Sequence, residues 1–297
     1  MFLGFDTSNY TTSVAFFDGK KIVQKKKLLE VKAGERGLRQ SDAVFQHTVN
    51  MPSLIRALTE ECDFNDVQAV AVSTRPRNVD GSYMPCFLVG EANAVSVSSI
   101  SKAPMYKTSH QIGHILAALY SIERLDLIKE PFVAFHVSGG TTEALLVTPD
   151  DEEIIKAELI AESTDLKAGQ AIDRAGVMMG LKFPCGVELD KLAQSSNREF
   201  KTKPSMKDLN CSLSGVENKA KKMFENNESN KDIAKFVISF IADPLSEMTA
   251  RILVKYGKTP IVFAGGVSGN SMLKEKLGKR IQEIRKSKNL TQEKLAE

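Results

Sequence analysis

The chain has 297 residues, 42% of them hydrophobic, and its 40 basic and 37 acidic side chains leave a formal net charge of +3. That length and apolar content suit one large or two ordinary packed domains, and no apolar run approaches a membrane span, so disordered, fibrous and membrane-spanning classes are excluded. The even charge balance gives no argument from composition for a nucleic-acid-binding surface.

The amino terminus enters a strand-like segment with no basic leader. The four cysteines, Cys62, Cys86, Cys185 and Cys211, are scattered without a CxxC pair. Both features predict a cytoplasmic protein with free thiols. Residues 2–6, 12–17 and 22–29 read as three strands, with Asp18-Gly19 as a hairpin turn between the second and third. Asp6, Thr7, Ser8 and Thr12 crowd hydroxyls, amides and a carboxylate into the turn after a buried strand. Such a turn suits phosphate oxygens or a metal, although ordinary hairpin chemistry gives the same composition. Lys20, Lys21, Lys25, Lys26 and Lys27 beside the third strand, and Lys219, Lys221 and Lys222 on a later helix, read first as solvated faces and second as a tRNA or phosphate surface.

Residues 34–40 read as a loop, 41–62 as a helix with Pro52 near a bend or at a new first turn, 67–74 as a buried strand, 73–85 as a loop, and 87–100 as a helix. A short strand at 104–107 then delivers the chain to His110-Gln111-Ile112-Gly113-His114. If the apolar run that follows is helical, the i, i+4 spacing stacks both imidazoles on one helix face, where they can share a metal ion, although two histidines that only cap or solvate a helix start give the same spacing. Zinc proteases place a Glu after the first His as general base. Gln111 stands there instead, which argues against metal-assisted peptide hydrolysis.

A second strand, turn, strand series runs through 132–137, Ser138-Gly139-Gly140-Thr141-Thr142 and 143–147. Two such units in one chain suggest two similarly built halves, and the glycines would let backbone approach a phosphate. Residues 165–256 show mainly helical spacing, at 168–180, 187–193, 216–224 and 233–256. A strand at 260–264 then runs into the glycine turn Gly265-Gly266-Val267-Ser268-Gly269-Asn270 and a helix from Ser271, which is the layout of a nucleotide seat. The tail, 280–297, reads as charged and helical with a break at Asn289-Leu290-Thr291. Part of it resembles the opening helices of Cro/repressor helix-turn-helix domains, without a recognition helix after them.

In this order the segments resemble the TsaD family of tRNA threonylcarbamoyladenosine transferases, once described as O-sialoglycoprotein endopeptidases. The resemblance runs from Phe2 to about Leu277. It rests on Asp6-Thr7-Ser8 with Thr12-Ser13, His110 to His114, Val137 to Glu143, Ala168-Gly169-Gln170-Ala171-Ile172-Asp173-Arg174, Phe183 to Asp190, Ser212-Leu213-Ser214-Gly215, and Ala264 to Ser271. It implies an α/β, actin-like ATPase (ribonuclease H-like) fold of two duplicated lobes with a cleft between them. The expected division is 1–108, 109–279 with a helical insertion, and a tail at 280–297. The implied reaction is threonylcarbamoyl transfer from an adenylate to adenosine in the tRNA anticodon loop.

The implied cofactors are a divalent metal, iron or zinc, and threonylcarbamoyl-AMP or ATP/AMP. The implied partners are tRNA and other subunits of a tRNA-modification complex, with a homodimer as a further expectation. Carried over by motif, His110 and His114 would bind the metal, and Ser138, Gly139, Gly140, Thr141, Asp173, Gly186, Asp190, Gly266 and Asn270 would hold the nucleotide.

The chain departs from the family pattern at several places. Its Gly-Pro-Gly loop is Arg75-Pro76-Arg77 here. Thr141 replaces a histidine, Gln170 a glutamate and Cys185 a glycine, and the segment carrying the third metal ligand has no counterpart after Leu277. A non-catalytic paralogue serving as a nucleotide-binding scaffold subunit is the alternative to a transferase.

Overall fold

The computed structural model describes residues 1–8, 10–31, 38–62, 64, 66–257 and 259–287. The chain divides into two compact units, Met1–Ala117 with Asp150–Lys156, and Ala118–Pro149 with the chain from Ala157 onward.

The first unit opens with β1 (Phe2–Asp6), β2 (Thr11–Phe17) and β3 (Ile22–Leu28), an antiparallel meander. Its β2–β3 turn forms because Gly19 takes φ +99° while the Asp18 carboxylate accepts the Lys20 and Lys21 amides at 2.8 and 2.7 Å. The chain continues through α1 (Gln40–Thr59), β4 (Ala69–Arg75), α2 (Phe87–Ser101), β5 (Met105–Ser109) and α3 (His110–Ser121). The sheet order is β3-β2-β1-β4-β5, with β4 parallel to both β1 and β5. Strand alternation turns Leu3, Phe5, Val14, Phe16, Val70 and Val72 inward, where they pack with Met51 and Leu58 of α1 and Ala94 of α2. Each such side chain contributes roughly 1.5–3 kcal/mol through burial, enough together to fix which face the helices cover.

The second unit contains β6 (Phe132–Val137), β7 (Thr142–Asp150), β8 (Ile154–Glu162), α4 (Ala168–Met178), α5 (Gly186–Gln194) and the short hairpin β9 (Ser205–Lys207) and β10 (Asn210–Ser212). It ends with α6 (Gly215–Glu225), α7 (Asn230–Tyr256), β11 (Ile261–Ala264), a 3-10 turn at Gly266–Gly269 and α8 (Ser271–Ser287). The main sheet has the order β11-β6-β7-β8, with β11 parallel and β7 antiparallel to β6. Helix α7 starts at Ser229, whose side chain caps the Asp232 amide. It buries residues on every side, including Val237, Ile241, Leu245 and Met248, and therefore sits inside the core rather than on it.

Residues 154–162 form a strand that the periodicity does not announce. Ile155, Ala157 and Ala161 are buried while Lys156 and Glu158 are exposed, so placement beside β7 overrides a composition of helix formers. Pro52 lies within α1 rather than at its start. The predicted loop at 34–40 and the tail break at 289–291 fall largely outside the described residues. Among the described residues no helix is long and apolar enough to cross a membrane.

Candidate functional site

In the first unit, β5 runs directly into α3 and places two imidazoles at the helix start. The helix can begin there because its first free amides are satisfied: Gln111 N donates to Pro76 O at 3.1 Å, and Ile112 N to Ser109 Oγ at 3.2 Å. His110 Nε2 and His114 Nε2 lie 2.9 Å apart, and the other ring nitrogen of His110, Nδ1, meets Asp6 Oδ2 at 2.8 Å. Burial alone would raise the Asp6 pKa, but bonds to His110, Ser73 and the Ser8 amide bring it down to about 2, so Asp6 is a carboxylate. It therefore accepts a hydrogen bond from His110 Nδ1–H, the tautomer in which His110 Nε2 carries a lone pair facing His114. Burial, then repulsion from His110 whenever that ring is protonated, lowers the pKa of His114.

This arrangement fits a divalent cation. With metal–nitrogen bonds of about 2.0–2.1 Å, nitrogens at this separation subtend about 90° at a shared ion, an octahedral rather than tetrahedral angle. A carboxylate on the far nitrogen is the usual way to orient a ligating histidine. Among the described residues no third His, Cys, Asp or Glu completes a metal-holding group with them.

The four residues expected to form a phosphate loop divide their work differently. Asp6 serves His110. Thr7 and Thr12 are fully buried and turned inward. Thr7 Oγ1 donates to Cys86 O at 2.8 Å and accepts the Gly90 amide at 3.0 Å, and Thr12 Oγ1 lies 2.8 Å from His47 Nδ1. Those two hydroxyls are already spent on bracing α2 and α1, a correction to the expectation that they face phosphate. Of the four, Ser8 is the one half-buried residue whose amide anchors on Asp6, at 2.8 Å. His47, which no motif or spacing singles out, is fully buried with Nε2 lacking a partner, and burial pushes its pKa down to about 4 against a smaller opposing pull from Asp6.

In the second unit the predicted glycine turns come together. The Ser138 amide bonds Thr141 O at 2.8 Å across the β6–β7 turn, and the first turn of α4 abuts it through Gly169 N to Ser138 O at 3.1 Å and Ala168 N to Thr142 Oγ1 at 2.8 Å. The approach is so close that a Cβ on Gly169 would lie 2.6 Å from Gly139 Cα and N. From the other side Gly265, at φ +99°, would place a Cβ 2.4 Å from Val137 O. A Cβ on Gly139, Gly140 or Gly266 would meet nothing within 4 Å. The ends of the parallel pair β6 and β11, braced by the first turn of α4, and these open glycines thus form one patch of main chain that an anion can approach.

Two carboxylates hold the surrounding elements. Asp173 of α4 accepts the Cys185 amide at 2.8 Å, placing Gly186 at the open start of α5. Asp190 of α5 accepts from Ser271 N and Oγ, all at 3.2 Å. Asn270 caps α8 through Oδ1 to Leu273 N at 2.9 Å. Each keeps some hydrogen-bonding capacity beyond these bonds. Asp165, absent from the expected site, gathers the loop before α4 onto Ser212-Leu213-Ser214. Burial opposes its ionisation, yet bonds from Ser212, Leu213 and Leu166 hold its pKa well below the carboxylate range. Burial pushes the Cys211 thiol up to about 11, and all four cysteines are free.

The sequence matches the model of the TsaD family, described as tRNA N6-adenosine threonylcarbamoyltransferase, over residues 23–295. A protein of that name from Ligilactobacillus salivarius (strain UCC118) is 31% identical over 297 residues, covering 94% of this chain and 82% of the relative. Another from Thermosipho africanus (strain TCF52B) is 28% identical over 289 residues, covering 93% and 84%. Among solved structures, full-length HypF in its phosphate- and nucleotide-bound form aligns with a TM-score of 0.60 at 12% identity, over 96% of this chain and 51% of that one. That likeness bears on the fold alone, which is of the actin-like ATPase type.

Proposed function

Given that the chain belongs to the TsaD family of tRNA N6-adenosine threonylcarbamoyltransferases, we propose that it transfers a threonylcarbamoyl group from its adenylate to N6 of a tRNA anticodon-loop adenosine. In that step the adenine amine forms a bond to the carbamoyl carbon, the carbon–oxygen bond to phosphate breaks, AMP leaves and the amine gives up a proton. The observation that carries the reading is the turn at Ser138–Gly140, held in place by Gly169 and Gly265, where Gly139, Gly140 and Gly266 leave main chain open to the phosphate of an adenylate. Thr141 closes that turn. Asp173, Gly186, Asp190 and Asn270 border it and would bind the ribose and adenine, since carboxylates suit hydroxyl donors and a glycine admits a flat ring. The comparisons do not favour the scaffold alternative.

His110 and His114 would hold a divalent metal, iron or zinc, whose chemistry when bound is to polarise the carbamoyl carbonyl. Asp6 fixes the His110 tautomer for that purpose. His114 must present Nε2 without a proton, so its ring carries the proton on Nδ1 in the loaded state. With two protein nitrogens, water or substrate oxygen would fill the remaining positions. Partner subunits of a tRNA-modification complex, and a homodimer, belong to the same proposal.

The test is nucleoside analysis of tRNA incubated with the purified protein, iron or zinc, and threonylcarbamoyl-AMP. Modified adenosine is expected with the parent. His110→Ala and His114→Ala should each keep the fold and lose metal by at least about a hundredfold in affinity, the upper range for orienting or ligating groups. Variants that bind as much metal as the parent would remove both histidines from the site.

A further inference from the structure

Arg75 puts a large cation at the end of β4, and the reaction described above gives it no task. Its guanidinium pairs with the Glu153 carboxylate, whose other oxygen accepts from Asn78 Nδ2 at 3.1 Å. Both partners are partly buried, at 27% and 20% side-chain exposure. An exposed ion pair contributes little, but one partly buried and held by a third group resists rearrangement because breaking it strands a charge. Glu153 lies in the Asp150–Lys156 turn that groups with the first unit, where its amide is tied to Asp150 Oδ1 at 2.8 Å.

Arg75 connects to the histidine helix twice. It is the β4 residue registered beside Ser109, after a bulge that separates it from Ser73, and Ser109 Oγ accepts the Ile112 amide. Its neighbour Pro76 supplies the carbonyl for the Gln111 amide. The first turn of α3 therefore leans on the 75–78 segment directly at the Gln111 amide and, through Ser109 of the strand paired with Arg75, at the Ile112 amide, and Glu153 grips that segment at two side chains.

We propose that Glu153 is a positioning residue for His110 and His114, acting through Arg75 and Asn78 on the first turn of α3. The proposal rests on the reading of the histidines as a metal-binding pair. It accounts for how the chain tolerates arginine in this loop: the guanidinium is drawn onto Glu153, and the loop it stiffens sets the angle of the two imidazoles.

The experiment compares the full-length parent with Glu153→Gln, Arg75→Ala and the reversed pair Arg75→Glu with Glu153→Arg. Amide hydrogen exchange at Gln111 and Ile112 reads the helix start directly, and titration with Co²⁺ alone reads the histidine pair. In each single variant, exchange at those amides should accelerate about tenfold and Co²⁺ affinity fall about fivefold, within the range for directly coupled groups. The reversed pair should recover most of both. Unchanged exchange in both single variants overturns the proposal, as does a reversed pair no better than the singles. Acceleration shared equally by α7 amides overturns it too, since the loss would then be global. A parent that binds no Co²⁺ overturns the metal reading instead, and the exchange data still decide whether Glu153 sets the helix start.

Discussion

Around His110 the first unit presents side chains: an ionised Asp6, two imidazoles 2.9 Å apart, and a buried His47 behind them. Around Ser138 the second unit presents backbone, with three glycines open to solvent and two more, Gly169 and Gly265, pressed against neighbouring main chain. The first arrangement suits a cation, because its donors are lone pairs on nitrogen and oxygen. The second suits an anion, because its open glycines let a phosphate come close to main chain. The two also differ in how they fail. A side-chain site loses its ligand when a side chain is removed, while the fold remains. A backbone site loses its shape when a single methyl group is added.

The sharpest way to break that contrast is Gly265→Ala. The new methyl would sit 2.4 Å from Val137 O and 2.8 Å from Val137 C at a backbone φ of +99°, and both of those atoms are main chain. Strain at positive φ and overpacking against main chain each cost on the order of 1–3 kcal/mol, so the variant should lose about 4 kcal/mol in urea unfolding. A loss under about 1 kcal/mol would mean that the β11–β6 junction is looser than drawn and that the anion seat is not set by close packing.

On the side-chain half, the expected effect is smaller and depends on pH. Burial holds the His47 pKa at about 4, below the ~6.5 of an unfolded histidine. Between those values the unfolded chain binds the extra proton, so stability is present above about pH 6.5 and is lost as pH falls toward 4. The loss between pH 7 and pH 5 should be about 2 kcal/mol. His47→Gln, which keeps an acceptor for Thr12 but does not titrate, should flatten that part of the profile. A parent and variant with parallel profiles over that interval would show that His47 is not buried as a neutral ring.

Much of this was legible in the residues. The i, i+4 spacing put both imidazoles on one face, and strand, glycine turn and helix all form at 261–287. What could not be read depended on distant packing. Asp6 meets His110 across 104 positions, and a carboxylate after a strand carries no mark of which histidine it will orient. Thr7 and Thr12 looked like phosphate donors because hydroxyls in a turn usually face out, yet α1 and α2 close over them. Strand β8 was hidden by its Lys, Glu and Ala content, and Glu153 by lying in a turn where acidic residues are ordinary.

The smallest predicted effect asks whether close packing in the second unit extends beyond the seat itself. Cys185, at a position where the family carries glycine, is fully buried, and its amide is the one held by Asp173. A Cβ on Gly176 of α4 would come 2.3 Å from Cys185 Cβ and 2.6 Å from Sγ, so the glycine in the helix makes room for the thiol beside it. Glycine within a helix costs about 1 kcal/mol relative to alanine, which implies that the space matters more here than helix propensity. Gly176→Ala alone should therefore destabilise by about 2 kcal/mol through overpacking, and Cys185→Gly alone by about 1–2 kcal/mol through the cavity it leaves. Together they should be less harmful than their sum by about 1.5 kcal/mol, because the methyl then occupies the volume given up by the thiol. Additive losses would mean that α4 and the Cys185 segment move apart freely. Asp173 would then be placed by its own hydrogen bond and not by the packing that surrounds it.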